Sequence, residues 1–198
     1  IFDSGLGGLT VLKELKMILP KESFIYFGDT AHLPYGTKSK DTIIKYSSQI
    51  CKFLIKQKVK LIIVACNTAS ALAIETLEKH INIPIINVID PCIQHAIKIT
   101  KKKSIGIIGT QATINSKAYD VKLNQLNHDL DITTQACPLF VPIIEAGLTD
   151  HKITNNICEL YLNKKKFSEI DVLILGCTHY PLLMENIKKH ISKKIIII

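Results

Sequence analysis

Leu61-Ile62-Ile63-Val64-Ala65 is a short apolar run that breaks at Cys66-Asn67-Thr68, and Leu72, Ile74 and Leu77 follow it at helical spacing. The same pattern recurs later as Val172 to Gly176, then Cys177-Thr178-His179, then Leu182, Leu183 and Ile187. A continuously apolar strand leading into a helix is how a parallel sheet buried on both faces reads. A second pair also matches, with Ile1 to Gly5 before one helix and Ile105 to Thr110 before Ala112 to Tyr119. Asp3 precedes Cys66 by 63 residues, and Thr110 precedes Cys177 by 67. Two similar lobes, each supplying a cysteine at a strand end, account for this echo.

The rhythm holds along the rest of the chain. Strands are predicted at Phe24 to Gly28, Lys60 to Ala65, Ile85 to Ile89, Ser104 to Gly109 and Asp171 to Gly176. Between them Leu9, Leu12, Leu15 and Leu19 keep helical spacing, as do Ile43, Ser47, Ile50 and Leu54 behind a capping Ser39. This alternation places the chain in the α/β class, as two lobes that are each a mostly parallel sheet flanked by helices. Asp90-Pro91 marks the boundary, because proline disfavours continuing the preceding conformation as a helix, so the lobes are set at 1–90 and 91–192.

The 198 residues are 47% hydrophobic and 21% charged, and 35 are isoleucine, which excludes a disordered chain and favours strands. Net charge is +8, yet all 25 basic residues are lysine, so the bidentate arginine contacts that read bases are missing. The lysines are dispersed, with triplets only at Lys101 to Lys103 and Lys164 to Lys166. Solvated faces explain them better than a nucleic-acid groove, and tight saturable binding in a low-salt gel shift would overturn that reading. Six cysteines without a CxxC, and no secretory leader, point to a reducing cytoplasm. No apolar run nears the roughly 18 residues of a membrane span. Ile1 opens mid-strand and Ile195 to Ile198 stop inside an apolar run, as in a chain trimmed at both ends.

Ligands of open α/β sheets bind outside the carboxyl ends of the strands, where Cys66 and Cys177 fall. A helix start there is expected to lower the thiol pKa and favour thiolate. A buried, inert cysteine is the plain alternative, and it is accepted for Cys51, Cys92, Cys137 and Cys158. Two thiols at matching places favour function. They suit either a redox pair or two-base proton transfer, in which one thiolate removes a proton and the opposite thiol delivers one. The loop Asp3-Ser4-Gly5-Leu6-Gly7-Gly8 is a candidate anion cradle for a phosphate or a carboxylate, with Asp3 able to meet an ammonium group, and a plain glycine turn is its bland reading. It lacks the GxGxxG and Walker spacings. His179 beside Cys177 can assist the thiol, and Asp3 or Glu145 can do the same elsewhere. Cys92 and His95, three apart, do not make a zinc site.

Phe2-Asp3-Ser4-Gly5-Leu6-Gly7-Gly8-Leu9-Thr10-Val11 resembles the opening motif of bacterial glutamate racemases. The resemblance continues through Tyr26 to Ala31, Pro34 to Ser39, Ala65 to Ser70, Cys137 to Pro142 and Gly176 to Leu182, in order and over essentially the whole chain. It implies a cofactor-independent racemase with glutamate bound between two α/β lobes, and no metal. Cys66 and Cys177 are then the acid/base residues on opposite faces of the α-carbon, the first acting on D-glutamate and the second on L-glutamate. Asp3, Ser4, Tyr35, Gly36, Asn67, Thr68, Thr178 and His179 fall on substrate-contact positions. The resemblance further implies a homodimer, a role for D-glutamate in peptidoglycan synthesis, and residues 193–198 as the start of a return to the first lobe. His32, where relatives often carry arginine, and Asp90-Pro91-Cys92, in place of Glu-Pro-Gly, depart from the pattern off the catalytic positions. An aspartate racemase and a dithiol redox protein are the rival readings; substrate comparison separates the first, and a reversible Cys66–Cys177 disulfide without α-hydrogen exchange identifies the second.

Overall fold

The computed structural model describes residues 1–162 and 165–198, so Lys164 of the second lysine triplet lies outside the described residues. Chain order is β1 (Phe2–Asp3), α1 (Leu9–Ile18), β2 (Phe27–Gly28), α2 (Lys40–Lys56), β3 (Ile62–Val64), α3 (Asn67–Leu72), α4 (Ile74–His80), β4 (Ile85–Asn87) and α5 (Ile89–Ile99). It continues with β5 (Ser104–Gly109), α6 (Gln111–Asn115), α7 (Ala118–Leu126), β6 (Asp131–Ala136), α8 (Phe140–Glu145), α9 (Lys152–Tyr161), β7 (Val172–Gly176), α10 (Met184–His190) and β8 (Ile196–Ile197). Two four-stranded parallel sheets result, ordered β2-β1-β3-β4 and β6-β5-β7-β8. The orders are equivalent, so the sequence echo is a repeat of topology: β1 matches β5, and β3 matches β7.

The second sheet is buried on both faces. Strand periodicity sends Ile105, Ile107, Val172 and Ile174 to one core with Ile89, Ile93 and Tyr119, while Ile108 and Leu173 join Phe140, Phe167 and Ile187 on the other. The first sheet departs from expectation. Phe2, Ile62 and Val64 pack under Ile43, Ile50, Leu54 and Leu77, but α1 on the other side has no fully buried residue.

Three further predictions need correction. Ile89 starts α5 instead of ending a strand, because the Asn87 side-chain carbonyl accepts from the N–H groups of both Ile89 and Asp90, at 3.0 Å each. Pro91 does not interrupt that helix, since it occupies the first turn, where an N–H has no intrahelical acceptor. Ile196–Ile197 pairs with Val172 and Leu173, so at 196–197 the chain adds a strand to the second sheet and not to the first lobe. Ser39 caps α2 as expected, its Oγ accepting from the Thr42 N–H at 3.3 Å. Among the described residues no helix is long and apolar enough to cross a membrane.

Candidate active site

The carboxyl ends of the middle strands of both sheets face one another. Asp3 ends β1, Cys66 follows β3 and caps α3, Thr110 follows β5 and caps α6, and Cys177 follows β7. Between them lies a pocket lined by Ser4, Leu33, Pro34, Tyr35, Gly36, Cys66, Asn67, Thr68, Thr110, Val141, Cys177, Thr178 and His179. It is nearly shut, with about 10 Å³ of open space, room for about one water. Grooves of about 660 and 650 Å³ on the outer faces are larger but hold none of these residues, so the small pocket that both strand-end cysteines line is the candidate site.

Asp3 is fully buried. One of its oxygens accepts from the N–H groups of Gly5 at 3.1 Å and Gly8 at 3.0 Å; the other accepts from the Thr178 hydroxyl at 3.2 Å. Burial nonetheless pushes its carboxyl above the usual range. The glycine loop therefore does not form an outward phosphate cradle, because two of its amides already bind the carboxylate at its own start. Gly7 serves a different need. A Cβ there would lie 2.5 Å from His179 Nδ1 and 2.6 Å from Thr178 Oγ1, so only glycine lets the second lobe approach.

Cys66 and Cys177 are 4% and 6% exposed. The Ala69 N–H points at Cys66 Sγ from 3.5 Å, the helix-start contact expected to favour thiolate. The expected direction of the pKa is nevertheless reversed. Burial, reinforced by the Asp3 charge, pushes the Cys66 thiol up to about 12, and burial likewise raises Cys177, with the negative charge of a Cys66 thiolate opposing its ionisation. Desolvation outweighs one weak helix-end contact. Cys177 Sγ lies 3.9 Å from His179 Nδ1, whose other ring nitrogen sits 2.5 Å from Glu145 Oε1 at the end of α8. With Nε2–H donating to that carboxylate, Nδ1 is left as an acceptor facing the thiol.

The lobes are also joined through hydroxyls and an amide. Thr68 Oγ1 lies 3.0 Å from Thr110 Oγ1 and 3.2 Å from Thr113 Oγ1, and the last two are 2.9 Å apart. Tyr119 donates to Asn67 Oδ1 at 2.6 Å. Tyr35 donates its hydroxyl at 2.6 Å to Asp29, whose other oxygen holds His32 Nδ1 at 2.7 Å, while the His32 ring stacks on Tyr46 with centroids 4.0 Å apart. His32 and Asp90, the two departures, stay off the pocket lining; Asp90 instead binds Asn87 and the Lys122 ammonium.

The structure thus brings Ser4, Tyr35, Gly36, Cys66, Asn67, Thr68, Cys177, Thr178 and His179 onto one pocket. Asp3 and Glu145 stand one hydrogen bond behind it. Sequence reasoning missed Thr110 and Thr113, although Thr110 occupies the strand-end position of its own lobe. Among the described residues no group of three His, Cys, Asp or Glu side chains is arranged to hold a metal.

The Asp/Glu/Hydantoin racemase family model matches residues 7–198. The chain belongs to that family. A glutamate racemase of Aquifex pyrophilus is 52% identical over 192 residues, covering 97% of this chain and 74% of the relative. Among solved structures, glutamate racemase isoform RacE1 from Bacillus anthracis superposes with a TM-score of 0.95 at 41% identity, over 100% of this chain and 74% of that one. A glutamate racemase from Francisella tularensis in complex with D-glutamate gives 0.91 at 44%, over 100% and 73%. The chain spans about three quarters of these relatives, and within that span it carries the family's two lobes and is an isomerase of the racemase type.

Proposed function

We propose that the protein interconverts L- and D-glutamate by moving a proton across the α-carbon between Cys66 and Cys177. The observation that carries this reading is that two buried thiols, from equivalent strand ends of two equivalent sheets, line one pocket. The D-glutamate complex of the Francisella relative supports the choice of substrate.

The two thiols are electrostatically coupled, since a thiolate at Cys66 opposes one at Cys177. A second thiolate is therefore opposed, so that once one thiol ionises the other keeps its proton, which is the state two-base transfer needs. The substrate ammonium, drawn to Asp3, brings a positive charge that favours ionisation of a thiol which burial otherwise keeps neutral. His179 Nδ1, steadied by Glu145, is placed to take the Cys177 proton. The thiolate removes the α-hydrogen as a proton, the electron pair stays on the α-carbon, and the opposite thiol returns a proton to the other face. Asn67 and Thr68 supply neutral donors toward the developing negative charge, while Thr178 spends its hydroxyl proton on Asp3. We assign the D-glutamate formed to peptidoglycan synthesis in the cytoplasm, and a homodimer to the working enzyme, on the family resemblance.

The test is incubation with L-glutamate in D₂O, following α-deuteration by NMR and chirality by chromatography. Deuterium uptake with D-glutamate formed is expected. Folded, reduced protein that yields neither would refute the reaction.

A further inference from the structure

Tyr119 lies on α7 of the second lobe, and Asn67 is the first residue of α3 in the first lobe. Between them runs one buried hydrogen bond, from the tyrosine hydroxyl to Asn67 Oδ1 at 2.6 Å. Tyr119 is 2% exposed, and its ring lies behind the strand end that presents Cys177, 3.4 Å from where a Cβ on Gly176 would stand. Asn67 lines the substrate pocket. An amide has two distinguishable ends, a carbonyl that accepts and an NH₂ that donates. With Oδ1 occupied by the tyrosine, Nδ2 is the end left to donate; among the described residues no acceptor is hydrogen-bonded to it.

We propose that Tyr119 is a positioning residue of the racemase: its hydroxyl fixes the orientation of the Asn67 amide, so that Nδ2 donates to a carboxylate oxygen of the substrate. The inference rests on the reading of Asn67 as a substrate contact. Without the hydroxyl, the amide is free to turn, and its carbonyl end then faces an anionic carboxylate. The same bond crosses from one lobe to the other, so the donor is correctly aimed only when the lobes are docked around the substrate. This ties binding of the carboxylate to closure of the cleft, and it does so through a residue that never touches the substrate.

The experiment is a double-mutant cycle on the whole chain, with KM and kcat measured for both glutamate enantiomers and melting temperature recorded for each variant. Tyr119→Phe is expected to raise KM about three- to tenfold, the worth of one hydrogen bond, with kcat within about twofold of wild type. Asn67→Ala is expected to raise KM at least as much, and adding Tyr119→Phe to it should change KM less than twofold. If the tyrosine effect persists undiminished in the Asn67→Ala background, Tyr119 does not act through Asn67 and the proposal is wrong. A lower melting temperature with unchanged KM in Tyr119→Phe overturns it equally, by showing a structural role alone. Should Tyr119→Phe fail to fold, Asn67→Asp decides, because it keeps an acceptor for the tyrosine and removes the donor. Its KM should exceed that of wild type by more than tenfold, and an unchanged KM refutes the aimed donor. If Asn67→Ala leaves KM unaltered while racemisation persists, it is the reading of Asn67 as a substrate contact that fails.

Discussion

Gly7→Ala adds one methyl group where the two lobes meet. Its Cβ would stand 2.5 Å from His179 Nδ1, 2.6 Å from Thr178 Oγ1 and 2.7 Å from His179 Cε1. Non-bonded heavy atoms rest at about 3.5 Å or more, so one side must move by about 1 Å. His179 cannot swing away freely, because it is 2% exposed and held at 2.5 Å by Glu145. Thr178 is likewise held by Asp3 at 3.2 Å. The backbone of Gly7 does not need a left-handed conformation, so the cost is steric alone. Overpacking of this kind destabilises by about 1–3 kcal/mol. Its larger effect falls on the site, where a displacement of about 1 Å costs on the order of 100-fold in rate. Racemisation followed by circular dichroism, with a thermal melt beside it, reads both quantities. Gly147→Ala is the contrast: its φ of +70° strains any side chain, but nothing lies within 4 Å of the new Cβ. It should lose about 1 kcal/mol of stability and no activity. Gly7→Ala with kcat/KM within threefold of wild type would refute the claim that this close approach sets the catalytic geometry.

Cys66→Ala and Cys177→Ala should each lower kcat by at least about 10² to 10⁴, the range of positioned proton transfer, and near-normal turnover in either variant rejects the two-base scheme. Glu145→Gln keeps the shape beside His179 but removes the charge; kcat should drop roughly tenfold, and an unchanged kcat shows that the pair is structural. Stability should also fall in alkali. The folded Cys66 thiol keeps its proton up to about 12, whereas the unfolded one releases it near 9.0, so the contribution is whole below 9.0 and is lost as pH rises toward 12. Between pH 8 and pH 10 the wild type should lose on the order of 1 kcal/mol more unfolding free energy than Cys66→Ser, measured by urea denaturation, and equal losses contradict the buried neutral thiol.

Much of the fold was legible because apolar periodicity reports burial directly. Ser104–Gly109 forms β5 over the predicted residues, since every one of its side chains is buried. Asp131–Ala136 escaped notice for the opposite reason: β6 is an edge strand whose Thr133, Thr134 and Gln135 are half-exposed, so it lacks an apolar run. The repeat offered a signal for it, because a partner to β5 is required wherever β1 has β2. Ile89 was misassigned because an apolar run cannot by itself distinguish a strand end from a helix start; the polar Asn87 beside Asp90-Pro91 held that information. In the site, cysteines, histidine and small polar residues at strand ends could be read from type and position. Thr113 and Tyr119 could not, since each matters through a partner in the other lobe, at a distance that spacing within one lobe does not encode. The thiol pKa direction was misjudged on the same ground, because helix-end geometry is local and depth of burial is not.

The repeat explains why the two thiols occur as a pair, and the departures from it explain why they are not interchangeable. Duplicated topology places a cysteine after β3 and another after β7, which gives a pocket two like groups on facing walls. Inverting a stereocentre needs a proton-transfer group on each side of one carbon, and a fold with equivalent halves provides that from one architectural rule. The surroundings then diverge. Cys66 has the Ala69 amide at its sulfur, which favours a thiolate, and the Asp3 charge nearby, which opposes one until a cation such as an ammonium group offsets it. Cys177 has an imidazole nitrogen at 3.9 Å whose ring is braced by a carboxylate, the group that the proposed mechanism makes its proton acceptor. On the proposed mechanism the two directions of reaction therefore use different means of making a thiolate. Glu145→Gln should accordingly lower kcat for the enantiomer that reacts at Cys177 more than for the other, with KM falling in step, because an equilibrium constant of one holds the two kcat/KM values equal. An equal drop in kcat for both enantiomers would mean that proton release at Cys177 is not what the His179–Glu145 pair supplies.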